Sequence, residues 1–175
     1  IKPKIFIMEN VPGILNIHDG EVRNSILQLF GSIGYKTSFK ILLASEYGVP
    51  QLRKRAYFIG NNLGINSEDL FPNKTHGANL SANVTIEDAI FDLPFINAGQ
   101  GKNKSTYDKN AISDYQKSMR GVNRYLENHV SSNHNPKTLK IMEMIKEGEG
   151  MKDLPKSLRT KSVHSGAYGR MLRSK

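Results

Sequence analysis

Apolar and polar positions alternate between two rhythms along the first third of this chain, and then the rhythm fades. Ile5-Phe-Ile-Met8 is a short uninterrupted apolar run, which predicts a strand buried on both faces. Val22, Ile26, Leu27, Leu29, Phe30 and Ile33 then recur at helical spacing and give one apolar face. Asp19 stands where a helix cap belongs, with Glu21 in the first turn, and Gly34 stands where a left-handed residue ends a helix. Tyr35–Ala44 is rich in β-formers and reads as a second strand; Ala56–Gly60 reads as a third. Gly48 and Pro50 break the loop between them.

These elements predict an α/β fold of strand–helix–strand–strand order. The loop joining the last two strands has about ten residues, short for a parallel crossover. An antiparallel pair is therefore expected, at the edge of an otherwise mostly parallel sheet. Three strands and one helix do not cover both faces of a sheet, so further layers are expected from sequence outside this chain or from a partner. After Asn61 the composition turns to Asn, Ser and Gly. A short helix over Ile86–Phe91, capped by Thr85, and a second over Thr138–Glu147 are the elements predicted there. Residues 97–118 read as loop, and Met142, Met144 and Met151 as core. The division expected is residues 1–61 as part of an α/β domain and 62–175 as a loop-rich module.

Charge changes the picture next. The formal net charge is +9 over 175 residues, and the excess is spread along the chain. That distribution favours a polyanionic partner such as nucleic acid over a basic tail. The chain has no cysteine, which excludes disulfides, Cys-based metal sites and a thiolate nucleophile within it. Absent cysteine fits the cytoplasm, and no apolar run approaches the roughly 18 residues that span a bilayer. His76, His129 and His134 lack acidic or Cys companions at ligand spacing, so no metal is expected. The chain opens almost at once on a strand and closes on a basic run, which suggests a piece of something longer.

Two polar clusters carry the candidate chemistry. Glu9 and Asn10 end the first strand, where ligands bind in open α/β sheets. Gln51-Leu-Arg53-Lys-Arg55 lies ahead of the third strand. If that segment is extended, Gln51, Arg53 and Arg55 share one side and form a row of planar hydrogen-bonding groups. Such a row suits a carboxylate, a phosphate or the polar edge of a base. Asn10 has a second reading, a local backbone hydrogen bond that shapes the turn.

The run Pro3-Lys-Ile-Phe-Ile-Met-Glu9-Asn10-Val11-Pro-Gly13, the Gly34-Tyr35 pair, and Ala44-Ser-Glu-Tyr-Gly-Val-Pro-Gln51-Leu-Arg53-Lys-Arg55 together resemble the cytosine-5 DNA methyltransferase family. Looser likenesses continue at Thr85–Pro94, Asn133-His134 and Ala167-Tyr168-Gly169-Arg170. The resemblance implies a mostly parallel methyltransferase sheet followed by an incomplete target-recognition region. It implies methyl transfer from S-adenosylmethionine to carbon 5 of a flipped cytosine in double-stranded DNA, within a restriction–modification system. In that scheme Glu9 holds ring nitrogen 3 and the exocyclic amine, Arg55 binds the base carbonyl, and Arg53 supports the site or contacts the DNA backbone. Asn10, Val11 and Gln51 line the substrate side; His134, Tyr168, Arg170 and Arg173 contact DNA. The family's Pro-Cys and cofactor loops are not in this chain, so the chain alone is expected to be inactive and to need an N-terminal catalytic portion. A non-catalytic DNA-binding subunit of a split enzyme and a tRNA-methylating relative are the alternatives.

Overall fold

The computed structural model describes residues 1–146 and 149–159. The chain forms two compact units, the first Ile1–Val84 and the second beginning at Thr85.

The first unit is built on three strands: β1 (Ile5–Asn10), β2 (Lys36–Leu43) and β3 (Lys54–Asn61). Helix α1 (Glu21–Ser32) connects β1 to β2. The strand order is β1-β3-β2, and β3 is antiparallel to both neighbours. The antiparallel β2–β3 pair was expected; the mostly parallel sheet with that pair at its edge was not what these residues build. The α1 crossover sends β1 and β2 the same way but two strand positions apart, about 10 Å. The returning β3 fills that slot and hydrogen-bonds to both strands. It is the best-buried strand, with Ala56, Phe58 and Ile59 nearly inaccessible.

One sheet face is packed. Leu15, Ala56 and Phe58 form its centre, joined by Met8, Ile14, Ile26, Leu27 and Phe39. Phe6 stacks on Phe30 of α1 with ring centroids 4.0 Å apart and meets Tyr35 edge-on. The expectation that β1 is buried on both faces fails, because Ile5 and Ile7 point to the other side and stay exposed. Asp19 does not cap α1 either. It has φ 51°, while an N-cap residue is extended, and the cap position is Gly20 at φ 93°. Gly34, at φ 93°, does end the helix: the Tyr35 N–H donates to the Phe30 carbonyl at 3.0 Å.

Residues 62–84 belong to the first unit, so the contact boundary lies well beyond the compositional change at Asn61. Polar groups tie this segment to the sheet. The fully buried Asn61 donates to the Ile65 carbonyl and to Ser67 Oγ, and accepts from the Leu63 and Ile65 amides. Ser67 in turn donates to the Lys36 carbonyl at 2.6 Å. Phe71 is the buried apolar anchor of this segment, and a single anchor gives no hydrophobic rhythm to read.

The second unit contains α2 (Ile86–Ile90), β4 (Gly101–Thr106), α3 (Asp114–Arg120), β5 (Tyr125–Val130) and α4 (Pro136–Met144). Thr85 caps α2 as expected, in a reciprocal box with Asp88. Residues 97–118 are not simply loop. β4 and β5 pair as an antiparallel ribbon, and Ser113 caps α3 with Gln116 closing the box. Gln116 is buried and donates to the Glu87 carbonyl, which ties α3 to α2. The buried Asp92 pairs with Arg120 at 2.7 Å. Helix α4 starts at Pro136, capped by Asn135, and packs through Ile141 against Ile145, Met151 and Leu154. Met151 is core as expected, whereas Met144 is exposed. Among the described residues no helix is long and apolar enough to cross a membrane.

Candidate active site

The face of the sheet opposite α1 carries a pocket of about 360 Å³. Ile7 and Glu9 of β1, Leu42 of β2, and Arg55, Tyr57 and Ile59 of β3 form its floor. Arg53, Ala44, Tyr47, Val49 and Pro72 complete its walls. The strand alternation explains the set. Residues 7 and 9 share a side, as do 53, 55, 57 and 59. Glu9 lies directly opposite Tyr57 in the ladder, and Arg55 is one step diagonal to it. Long side chains bridge that diagonal.

Glu9 and Arg55 do so: Arg55 Nε lies 2.7 Å from Glu9 Oε1. Arg55 Nη1 also donates to the Lys54 carbonyl at 2.8 Å. The glutamate side chain is 44% exposed and the arginine 21%, so the pair faces the pocket mouth. A pair this wet contributes about 0–1 kcal/mol to stability, so its importance is geometric. A guanidinium has five N–H donors, and among the described residues these two contacts occupy only part of the fork. The pocket thus offers a planar donor array beside a carboxylate, over an otherwise apolar floor. That combination suits a flat heteroaromatic ligand with both acceptors and donors on its edge.

The other expected residues are distributed differently. Asn10 Oδ1 accepts from the Val11 amide at 2.8 Å and shapes the turn into Pro12–Leu15. Val11 is exposed at the head of that turn. Gln51 does not line the pocket. Its N–H donates to the Val49 carbonyl at 2.7 Å, and the Arg53 N–H donates to the Gln51 carbonyl at 3.0 Å. Two such tight turns prevent the extended conformation that would align Gln51 with both arginines. His134 is exposed ahead of α4, while Asn135 is committed to capping it. His129 Nε2 is 2.8 Å from the Pro94 carbonyl. Tyr168, Arg170 and Arg173 lie outside the described residues.

Tyr57 was not singled out from the sequence, although as the next alternate position after Arg55 it falls on the same side of β3. Leu42 and Pro72 gave no such signal, because only the β2–β3 register and the path of residues 62–76 bring them here.

The site is thus a carboxylate–guanidinium pair in one pocket at the strand ends of an α/β sheet. Comparison with known proteins supplies the family. The family model described as C-5 cytosine-specific DNA methylase matches residues 1–170, and the chain belongs to that family. It is 36% identical over 155 residues to the type II methyltransferase M.DdeI of Desulfomicrobium norvegicum, covering 86% of this chain and 37% of that protein. It is 34% identical over 158 residues to M1.HphI of Haemophilus parahaemolyticus, covering 90% and 35%. The chain therefore spans little more than a third of the length of these curated relatives. A crystal structure assigned as a DNA modification methyltransferase encoded within a prophage (E. coli) aligns with a TM-score of 0.61 at 24% identity. It covers 85% of this chain and 47% of that one, a likeness that bears on the fold alone.

Proposed function

We propose that this chain supplies the base-gripping part of a DNA cytosine-5 methyltransferase of a restriction–modification system. In this reading a cytosine leaves the duplex and enters the pocket above Glu9 and Arg55. Arg55 donates to the carbonyl oxygen of the base. Glu9 turns from Arg55 toward ring nitrogen 3 and the exocyclic amine, and it carries or shares the proton that neutralises charge building on the ring. Arg53 supports the same wall. Tyr57, Leu42 and Tyr47 exclude water from the ring face, which strengthens each polar contact. The thiolate that attacks carbon 6 comes from elsewhere in the complete protein, since this chain has no cysteine.

The observation that carries this reading is the 2.7 Å contact between Glu9 and Arg55 in one pocket. The methyl donor implied by the family is S-adenosylmethionine. The pocket's single carboxylate is engaged by Arg55, which leaves no acid there to hold a ribose diol. No residue of this chain is assigned to the donor, and it is bound by other parts of the complete protein. Duplex DNA is the substrate, with the unit beginning at Thr85 contributing to target recognition through His134, Tyr168, Arg170 and Arg173.

The test is single-turnover transfer of a labelled methyl group by the complete protein. Label on carbon 5 of cytosine in duplex DNA, with none on tRNA, is the expected result. Transfer to tRNA alone would move the protein to the RNA-modifying branch. DNA binding without transfer to either would leave it a binding subunit.

A further inference from the structure

The loop that delivers Arg53 is held from outside by the segment that follows Phe71, of which only Pro72 lines the pocket. We propose that Pro72–His76 is a strap that positions Arg53 by clamping the turn Ala44–Gly48, with His76 as the positioning residue. The proposal rests on the reading of the pocket given above.

Five contacts join the strap to the turn. The Thr75 and His76 amides both donate to the Glu46 carbonyl, each at 3.0 Å. Lys74 Nζ pairs with Glu46 Oε1 at 2.7 Å. The Tyr47 hydroxyl reaches the Pro72 carbonyl at 3.5 Å, and both residues line the pocket. The half-buried His76 ring lies against Gly48, where a β-carbon would come within 2.7 Å of Cε1. Thr75 Oγ1, 2.8 Å from His76 Nδ1, fixes the ring's rotation.

The clamp leads directly to the arginine. Gly48 stands at φ 79°, so the turn has one shape and needs glycine to adopt it. Beyond it the Val49 amide donates to the Ala44 carbonyl, and the Ala44 amide donates to the Arg53 carbonyl at 3.0 Å. His76 thus bears on Gly48, Gly48 sets the turn, and the turn's base pins the Arg53 backbone. The lever matters because Arg53 sits just before β3, where no ladder pairing holds it. A misplacement near 1 Å in such a group costs up to about a hundredfold in rate.

The experiment is a double-mutant cycle in the complete protein, reading single-turnover methyl transfer and DNA affinity separately. His76→Ala is expected to slow transfer about tenfold while changing duplex affinity less than twofold. His76→Phe keeps a flat ring against Gly48 and is expected to restore most of the rate. In an Arg53→Ala background, His76→Ala is expected to add nothing further. Full, independent loss in that background would overturn the strap while leaving the pocket reading intact. Unchanged transfer in Arg53→Ala and Arg55→Ala alike would overturn the pocket reading itself. Should His76→Ala fail to fold, Lys74→Met removes only the exposed end of the clamp. It is expected to slow transfer two- to fivefold and to be silent with Arg53→Ala; additive loss there counts against the strap in the same way.

Discussion

Glu9 is next to last in β1 and Arg55 second in β3, and their charged atoms meet at 2.7 Å across one diagonal of the antiparallel ladder. Two motifs far apart in sequence become one device because β3 lies directly beside β1. Had β2 occupied that place, the arginine would stand a full strand further from the acid.

Glu9→Gln tests the role of the acid. The amide keeps the size and the hydrogen bonding to the ring edge but holds no exchangeable acid proton. In the complete protein turnover is expected to fall about 10²–10³-fold, in the range removed with an acid–base group. DNA affinity should stay within about threefold. Equal losses in turnover and affinity, measured by single-turnover assay and fluorescence anisotropy, would contradict a role in ring protonation.

Arg55→Ala removes the carbonyl donor and leaves Glu9 without its partner. Capture of the extrahelical cytosine, followed with 2-aminopurine placed beside the target base, is expected to weaken at least about tenfold. Arg55→Lys should recover little, since a point charge does not reproduce the planar fork. Full activity of the lysine variant would reduce Arg55 to a simple counter-charge.

Gly60→Ala probes the packed side of the sheet. A β-carbon there would fall on the Phe6 ring and 2.7 Å from Thr37 Oγ1. Phe6 is stacked on Phe30 and meets Tyr35 edge-on, so moving it disturbs both contacts. The expected loss is about 1–3 kcal/mol in urea unfolding. A change below about 0.5 kcal/mol would show that the aromatic cluster yields.

Asn61→Ala strips the side chain that organises residues 62–67. Two acceptors and two amides lose their partner, one of them buried and the others partly so. A loss of about 2–4 kcal/mol is expected, because each orphaned buried group costs about 1–3 kcal/mol before relaxation. Asn61→Asp should also destabilise, since it turns the donor facing the Ile65 carbonyl into an acceptor. Amide exchange at Leu63 and Ile65 should rise in both variants, and unchanged protection would refute the assignment.

Asp88 supplies a pH handle on α2. Its carboxyl is held below the ordinary aspartate value, first by the Thr85 hydroxyl and then by the Thr85 amide. A lowered folded-state value means the contribution is present above the unfolded pKa and is lost as pH falls through the folded one. The Thr85 amide resonance should therefore shift only in the acid range, with a midpoint below that of a free aspartate. Asp88→Asn should abolish that titration. A midpoint at or above the free value would show that the capping box does not hold in solution.

Several of these elements were readable from residues alone, each for a local reason. The α1 periodicity, the left-handed Gly34 and the Thr85 cap depend on neighbours within a turn or two, so their sequence carries the signal. The pairing of Glu-Asn-Val with Gln-x-Arg-x-Arg was legible as a family likeness. Gln51 was misplaced because an alternating rule assumes extended backbone, and two tight turns precede β3 instead. β4 and α3 escaped notice because Lys102–Thr106 has no apolar alternation and owes its form to pairing with β5.

What the chain's own order of residues decided was which chemistry is on offer: one strand-end carboxylate, two arginines in alternation, and no thiol. What only the tertiary structure decided was that β3 enters between β1 and β2, which brings acid and guanidinium into contact and sets Leu42, Tyr57 and Pro72 around them. Local propensity acts over a few residues and is written in the sequence. Strand order gives β3, the best-buried strand, a hydrogen-bonded neighbour on each side, a property of the whole sheet.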